Sequence, residues 1–289
     1  MPKLLPRKNP RLAVARTSQL AVARTSQLSP DWQSPEGDIQ LYLGDCLKIL
    51  PSVFEADMIF TDPPYGHSNN NNDLILRREC ALGKRKATTA ELQADKTARP
   101  IANDGPEAND LFRQILPEFA RILAPGCCCC CCGGGGGPDP QFARWSLWLD
   151  EVLDFKQMVV WDKGKMGLGW HYRRSYETVL VAQKPGVACR WFDKSGAVEN
   201  IIRPGKGAKK IIPSAEQHPT QKPIGLASYF IKLHSQEGHL VLDPFMGSGT
   251  TGAAAIREGR KFIGIDIDER YFDMAVKRLE VEWRVKNEP

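Results

Sequence analysis

From Asp38 onward the chain alternates between two hydrophobic rhythms. Short unbroken apolar runs occur in IQLYL (39–43), ADMIF (56–60), KQMVVWDK (156–163), YETVLVAQK (176–184), HLVLDPF (239–245) and KFIGIDI (261–267). Runs of that length, bounded by turn residues, suit strands buried on both faces. Between them apolar residues recur every three or four positions: LFRQILPEFARIL (111–123), PDPQFARWSLWLDEVL (138–153), PIGLASYFIKLHS (223–235), GTTGAAAIREG (249–259) and ERYFDMAVKRLEVEWRV (269–285). That spacing puts one apolar stripe on each of five helices. Pro223 suits a helix start, where its missing N–H costs nothing and its φ is already helical. Pro125-Gly126 stops the 111–123 helix despite Pro117 within it. Strands alternating with helices predict an α/β fold with a mainly parallel, doubly wound sheet. Ligands of such sheets bind beyond the carboxyl ends of the strands, so the loops after strands carry the functional reading.

Other stretches lack either rhythm. Residues 1–37 read as a poorly ordered tail in which LAVARTSQ occurs twice, at 12–19 and 20–27. Two copies do not make a solenoid. Residues 67–105 are polar and Asn-rich with few apolar anchors, and read as a long loop; 185–217 are rich in Gly, Pro and Lys. The domain is expected over 38–289.

The longest oddity is GCCCCCCGGGGGP at 126–138. It follows the helix after ADMIF, where the alternation calls for the next strand. Free cysteine behaves as a small hydrophobe and is among the most buried residue types. Side chains alternate along a strand, so three of the six cysteines face each way. Neighbours in such a strand cannot converge on one tetrahedral zinc, which takes spaced ligands such as CxxC. The run is therefore expected to be core, with no metal. The other cysteines, Cys46, Cys80 and Cys189, show no paired framework, and free thiols are expected.

Composition narrows the class. The 289 residues are 42% hydrophobic and 25% charged, ordinary for a globular domain. No apolar run is long enough for a membrane span and MPKLLPRKNP has no apolar leader core, so a cytoplasmic protein is expected. The net charge of +5 is concentrated: Asp162 to Glu216 holds eleven Lys or Arg against five Asp or Glu. Such a window suits a polyanion partner or a solvated loop.

Strand-end loops supply the chemistry. In DPFMGSGTTG (243–252), a strand ends at Asp243-Pro244-Phe245, Gly247 and Gly249 turn, and a helix begins near Thr250. Glycines allow close backbone approach and a helix N-terminus favours an anionic group. The next strand ends in Asp266, 19 residues after Gly247, where a carboxylate accepts both hydroxyls of a ribose. A nucleoside-bearing cofactor follows. The pattern is neither GxGxxG nor a P-loop. In TDPPYG (61–66), Asp62 ends an apolar strand, and Pro63 and Pro64 make a rigid bend. That bend gathers the Asp62 carboxylate, the Pro63 carbonyl and the Tyr65 ring around one planar group bearing an NH2.

TDPPYG, HPTQKP (218–223) and DPFMGSGTTG together resemble the amino-group DNA methyltransferases that use S-adenosylmethionine. The DPPY motif precedes the FMGSG motif by about 180 residues, a permuted order similar to the beta class, over roughly residues 38–283. The resemblance implies a Rossmann-like methyltransferase fold with the catalytic region first and the cofactor-binding part at 218–289. It implies that Asp62, Pro63, Pro64 and Tyr65 are catalytic and that Asp243, Phe245, Gly247, Gly249, Thr250 and Asp266 face the donor. Asp45, in the Gly44-Asp45 turn, would meet the donor's adenine, or is a plain turn residue. Thr220 and Lys222 would close its methionine end, or Lys222 is a solvated charge. The aspartate in first place implies adenine N6 as target, with cytosine N4 as the alternative. An RNA or protein-glutamine substrate and a nucleotide-dependent oxidoreductase are further options. DNA would be the partner, and a homodimer and a cognate restriction endonuclease are assemblies the resemblance allows. Recognition is expected in 67–105 and 162–217. Arg173 and Arg174 in WHYRRSYE are the DNA-contacting candidates there, through groove or phosphate alone.

Overall fold

A computed structural model describes residues 28–66, 101–133, 141–164, 175–203 and 221–287. The tail repeat, most of the 67–105 loop, Arg173, Arg174 and Thr220 lie outside them.

The described strands form one sheet. They are β1 (Trp32–Gln33), β2 (Ile39–Leu43), β3 (Ala56–Thr61), β4 (Leu123–Cys132), β5 (Asp154–Asp162), β6 (Tyr176–Gln183), β7 (Ile201–Ile202), β8 (Leu240–Asp243) and β9 (Lys261–Asp266). Their order is β1-β2-β9-β8-β3-β4-β6-β5-β7. The five strands from β2 to β4 are parallel. β6 then runs antiparallel to both β4 and β5, which the expectation of a mainly parallel sheet did not specify. β1 pairs antiparallel with β2, so Trp32 and Gln33 belong to the sheet although the tail was expected to reach residue 37.

Helices cover both faces. α1 (Cys46–Ile49), α2 (Ala108–Ile122) and α3 (Gln141–Val152) lie on one, and α4 (Ile224–His234), α5 (Thr250–Arg257) and α6 (Glu269–Asn287) on the other. Each helix buries the stripe its spacing predicts; on α2 this is Phe112, Ile115, Leu116, Phe119 and Ile122. Pro223 takes the cap position of α4, one residue before the helix. No described helix is long and apolar enough to cross a membrane.

The cysteine run is the second half of β4, and all six cysteines are at most 1% exposed. Cys128, Cys130 and Cys132 pack into the core beneath α4 and α5; Cys127, Cys129 and Cys131 pack into the core beneath α2 and α3. Burial pushes the thiols up in pKa. A stack of thiols this poorly ionised acts as apolar filling. Pro125 and Gly126 do not end the chain's extended course. They sit in a register shift between Ala56–Leu123 and Met58–Cys128, with Gly126 at φ 80. The alanine carbonyl of residue 188 would lie 2.5 Å from any Cβ there, so only glycine fits.

The middle of the sheet matters most for function. β3 and β8 are neighbours, but the chain leaves β3 toward β4 on one side and β8 toward β9 on the other. Their carboxyl ends therefore open into a crevice, the usual ligand position in an open α/β sheet.

Candidate active site

An open cleft lies over that crevice. Its walls include Asp62 and Tyr65 after β3, Phe245 and Gly247 after β8, Asp266 after β9 and Asp45 after β2. Four loops far apart in the chain thus converge because their strands are adjacent and parallel.

Asp62 leaves β3 on the rigid Pro63-Pro64 bend. Its Oδ1 accepts a hydrogen bond from the Tyr65 hydroxyl, and the Lys222 Nζ donates to Oδ2 at 2.7 Å. Burial raises the Asp62 pKa, and Lys222 and Tyr65 pull it back. The loop itself is anchored from outside the motif. Asp104 Oδ1 accepts from the backbone N–H groups of Tyr65 at 2.9 Å and Gly66 at 2.8 Å. Gln141 Nε2 donates to the Tyr65 carbonyl at 2.7 Å. Gly66 has φ 73, and a Cβ on it would come within 2.9 Å of the Gly105 carbonyl. The end of the expected recognition loop, 101–105, thus forms part of the cleft wall.

The glycine turn joins β8 to α5. Gly249 caps α5 with φ 75, and Gly247 has φ 51. Asp266 braces the turn: its Oδ2 accepts from the Gly247 N–H and its Oδ1 from the Asp268 N–H, each at 2.8 Å. Burial pushes its pKa up to about 6 against these donors. Two carboxylate oxygens can accept more than these bonds, so Asp266 keeps acceptor capacity. Asp45 caps α1 by accepting from the Leu47 N–H at 3.0 Å, and the Gly44 N–H bonds to the Asp266 carbonyl at 2.8 Å. The β2 and β9 loops are therefore tied together.

Two of the donor-facing expectations land differently. Asp243 is 2% exposed and spends its oxygens on the protein. It accepts from Thr61 Oγ1 at 2.7 Å, Thr251 Oγ1 at 2.6 Å and the Phe245 N–H at 3.1 Å. It knits β3, β8 and α5 together, because a carboxylate without water needs local donors. The Thr250 hydroxyl likewise turns toward α6 and accepts from Arg278 at 3.1 Å. Lys222, expected at the donor's methionine end or as a solvated charge, is largely buried against Asp62.

Sequence reading passed over Glu177, Asp104, Gln141 and Arg278. Glu177 had one available signal, a carboxylate at the head of an apolar strand. Its relevance depends on β6 running antiparallel, which places the start of β6 beside the end of β4. Arg278 donates to the Ser248 carbonyl at 3.1 Å beneath the glycine turn. Burial lowers its pKa to about 10, so it stays charged at neutral pH. Among the described residues no cluster of His, Cys, Asp and Glu could hold a metal ion.

Residues 56–277 match the family model described as DNA methylase. The chain is 56% identical over 264 residues to the DNA adenine methyltransferase YhdJ of Escherichia coli K12, covering 81% of this chain and 79% of that protein. It is 39% identical over 120 residues to the type II methyltransferase M2.DpnII of Streptococcus pneumoniae, a match spanning 39% of this chain and 45% of that relative. Among solved structures, the M1.HpyAVI–SAM complex superposes with a TM-score of 0.58 at 25% identity, covering 83% of this chain and 98% of that one.

Proposed function

The chain belongs to the DNA methylase family, and from that premise we propose that it transfers the methyl group of S-adenosylmethionine to the N6 amino group of adenine in DNA. One observation carries the reading: the Asp62 carboxylate and the glycine turn braced by Asp266 face the same cleft from adjacent strand ends. The relative named a DNA adenine methyltransferase supports adenine over cytosine as the base.

The residues present fit a nucleoside-bearing donor. Asp266 keeps acceptor capacity for ribose hydroxyls, Gly247 and Gly249 allow backbone approach at the start of α5, and Asp45 and Phe245 line the same end. When bound, the donor supplies a methyl group already activated by a sulfonium. What remains for the protein is position and electrostatics.

The amino nitrogen of adenine is a poor nucleophile because its lone pair is delocalised into the ring. The Asp62 carboxylate and the Pro63 carbonyl accept its two N–H bonds. Those bonds draw the nitrogen toward tetrahedral geometry and free the lone pair for in-line attack; the nitrogen gains its bond to the methyl carbon as the carbon–sulfur bond breaks, and its surplus proton leaves to Asp62 or to water. The base must leave the duplex to reach this loop. Tyr65 then stacks on it, a contact worth roughly 1–3 kcal/mol in comparable base–aromatic pairs.

Digestion of DNA methylated by the purified protein tests the reading. N6-methyladenine is the expected product; N4-methylcytosine without it would overturn the assignment. Asp62→Ala is expected to abolish transfer while equilibrium binding of S-adenosylmethionine survives. Loss of that binding would mean that the two loops have been given each other's roles.

A further inference from the structure

Both oxygens of Asp62 are occupied, and the occupants are held differently. Lys222 Nζ lies 2.7 Å from Asp62 Oδ2 and 3.2 Å from Glu177 Oε2. Its side chain is 10% exposed. An ammonium so far out of water needs paired carboxylates to stay charged. Burial by itself would lower its pKa, but Asp62 and Glu177 outweigh that and hold it well above the ordinary lysine value. Glu177 is itself held from its other side by Lys163. Lys222 is therefore clamped from behind.

The Tyr65 hydroxyl on Oδ1 also accepts from Lys222 Nζ at 3.3 Å, and its ring centroid lies 5.9 Å from that of Trp145. Asp104 and Gln141 hold the tyrosine by its backbone. The hydroxyl donates its one proton to Oδ1, as one N–H of an amino group would. Its ring lies 5.3 Å from the Lys222 ammonium.

We propose that Glu177 and Lys222 form a positioning pair that keeps Asp62 Oδ2 engaged throughout turnover, so that Oδ1 alone meets the amino group. The proposal rests on the amino-group reading above. Neither Glu177 nor Lys222 touches the reacting atoms; both act through Asp62. The other titratable groups facing Asp62 are Cys132 at the end of β4 and Asp243 at the end of β8. Neither is a cation, so Lys222 is the counter-charge that keeps Asp62 an acceptor.

The test compares wild type with Lys222→Met, Glu177→Gln and the double variant. The measurements are kcat against pH, KM for DNA and equilibrium binding of S-adenosylmethionine. Lys222→Met is expected to lower kcat about 100-fold, the scale of a misplaced catalytic group. It should also move the acid limb of the profile to higher pH and leave binding of the methyl donor unchanged. Adding Glu177→Gln to Lys222→Met should cost nothing further, since Glu177 acts through the lysine. An unmoved acid limb with weakened donor binding would overturn the proposal and return Lys222 to the methionine end. An additive loss in the double variant would also overturn it.

A second readout needs no turnover. Carbon-13 NMR of the ligand-free protein, assigned with Asp62→Asn, should show the Asp62 carboxyl titrating at higher pH in Lys222→Met. If wild type leaves adenine unmethylated, the functional reading falls. The carboxyl titration then decides the pair, and an unmoved midpoint overturns it. If Lys222→Met does not fold, Glu177→Gln carries the test. Lower kcat at unchanged KM is expected, and an unchanged kcat refutes the pair.

Discussion

Asp243→Asn isolates the energetics of the site's buried scaffold. Asp243 is 2% exposed, and burial pushes its carboxyl up to about 7 despite bonds from Thr61, Thr251 and Phe245. The nearby Asp62 charge adds to the same rise. In the unfolded chain an aspartate titrates near 3.9. The folded state therefore holds a proton that the unfolded state has already lost between about pH 4 and pH 7. A raised folded pKa means that the stability it contributes is full below about pH 4 and is lost as pH rises through 7. At about 1.4 kcal/mol per unit, the loss between pH 5 and pH 8 is about 3 kcal/mol, with little further loss above that. Asparagine has the same shape and no charge at any of these pH values. The Thr251 hydroxyl can rotate to accept from the new amide, so rearranging the bonds costs about 1 kcal/mol at every pH. Thermal unfolding of both proteins at pH 5 and pH 8 reads the difference. For a domain of this size the wild type should lose about 6–12 °C more in Tm between the two pH values than the variant. Parallel shifts in the two proteins would refute the argument, because a carboxylate that titrates normally when folded contributes no such slope.

The opposite sign is expected from His234, which is 3% exposed, finds no hydrogen-bond partner for Nδ1 among the described residues and is pushed down by burial to about 4. Its depressed pKa costs stability as pH falls from about 6.5 toward 4, so His234→Leu should flatten the fall in Tm between pH 7 and pH 5; an unchanged fall would sink this. Gly249→Ala forces a side chain into φ 75 with its Cβ 3.2 Å from that of Ala275. It should cost about 1–2 kcal/mol in chemical unfolding, and wild-type stability would show that the turn relaxes freely. Cys189 is exposed, and a hydrogen bond with Cys128 lowers its pKa to about 7. Peptide mapping after brief iodoacetamide treatment should find it alkylated well before Cys127 to Cys132, since the thiolate is the reactive form. Equal labelling of the run in native protein would mean that β4 is not core.

The two apolar rhythms determined a great deal of the fold by themselves. Each of the six apolar runs and five periodic stretches became the element it predicted, because period and turn chemistry are local properties of the chain. The cysteine run was placed by the same reasoning, and its alternating faces followed from strand geometry alone. TDPPYG and DPFMGSGTTG could be recognised because a rigid bend and a glycine turn are written in consecutive residues.

Side-chain partners were a different matter. Asp62 and Lys222 are 160 positions apart, and nothing local tells a lysine before a helix-starting proline that its counter-ion ends a strand in another part of the chain. Asp243 and Asp266 read alike, each an acidic residue closing an apolar strand. Only the tertiary structure separates them. Asp243 lies buried among Thr61 and Thr251, so its oxygens must be satisfied by the protein; Asp266 lines the cleft with capacity to spare. Glu177 is the clearest case. Its place beside Asp62 depends on the direction of β6, and strand direction is a property of the assembled sheet: the same alternation of apolar residues serves parallel and antiparallel neighbours equally well.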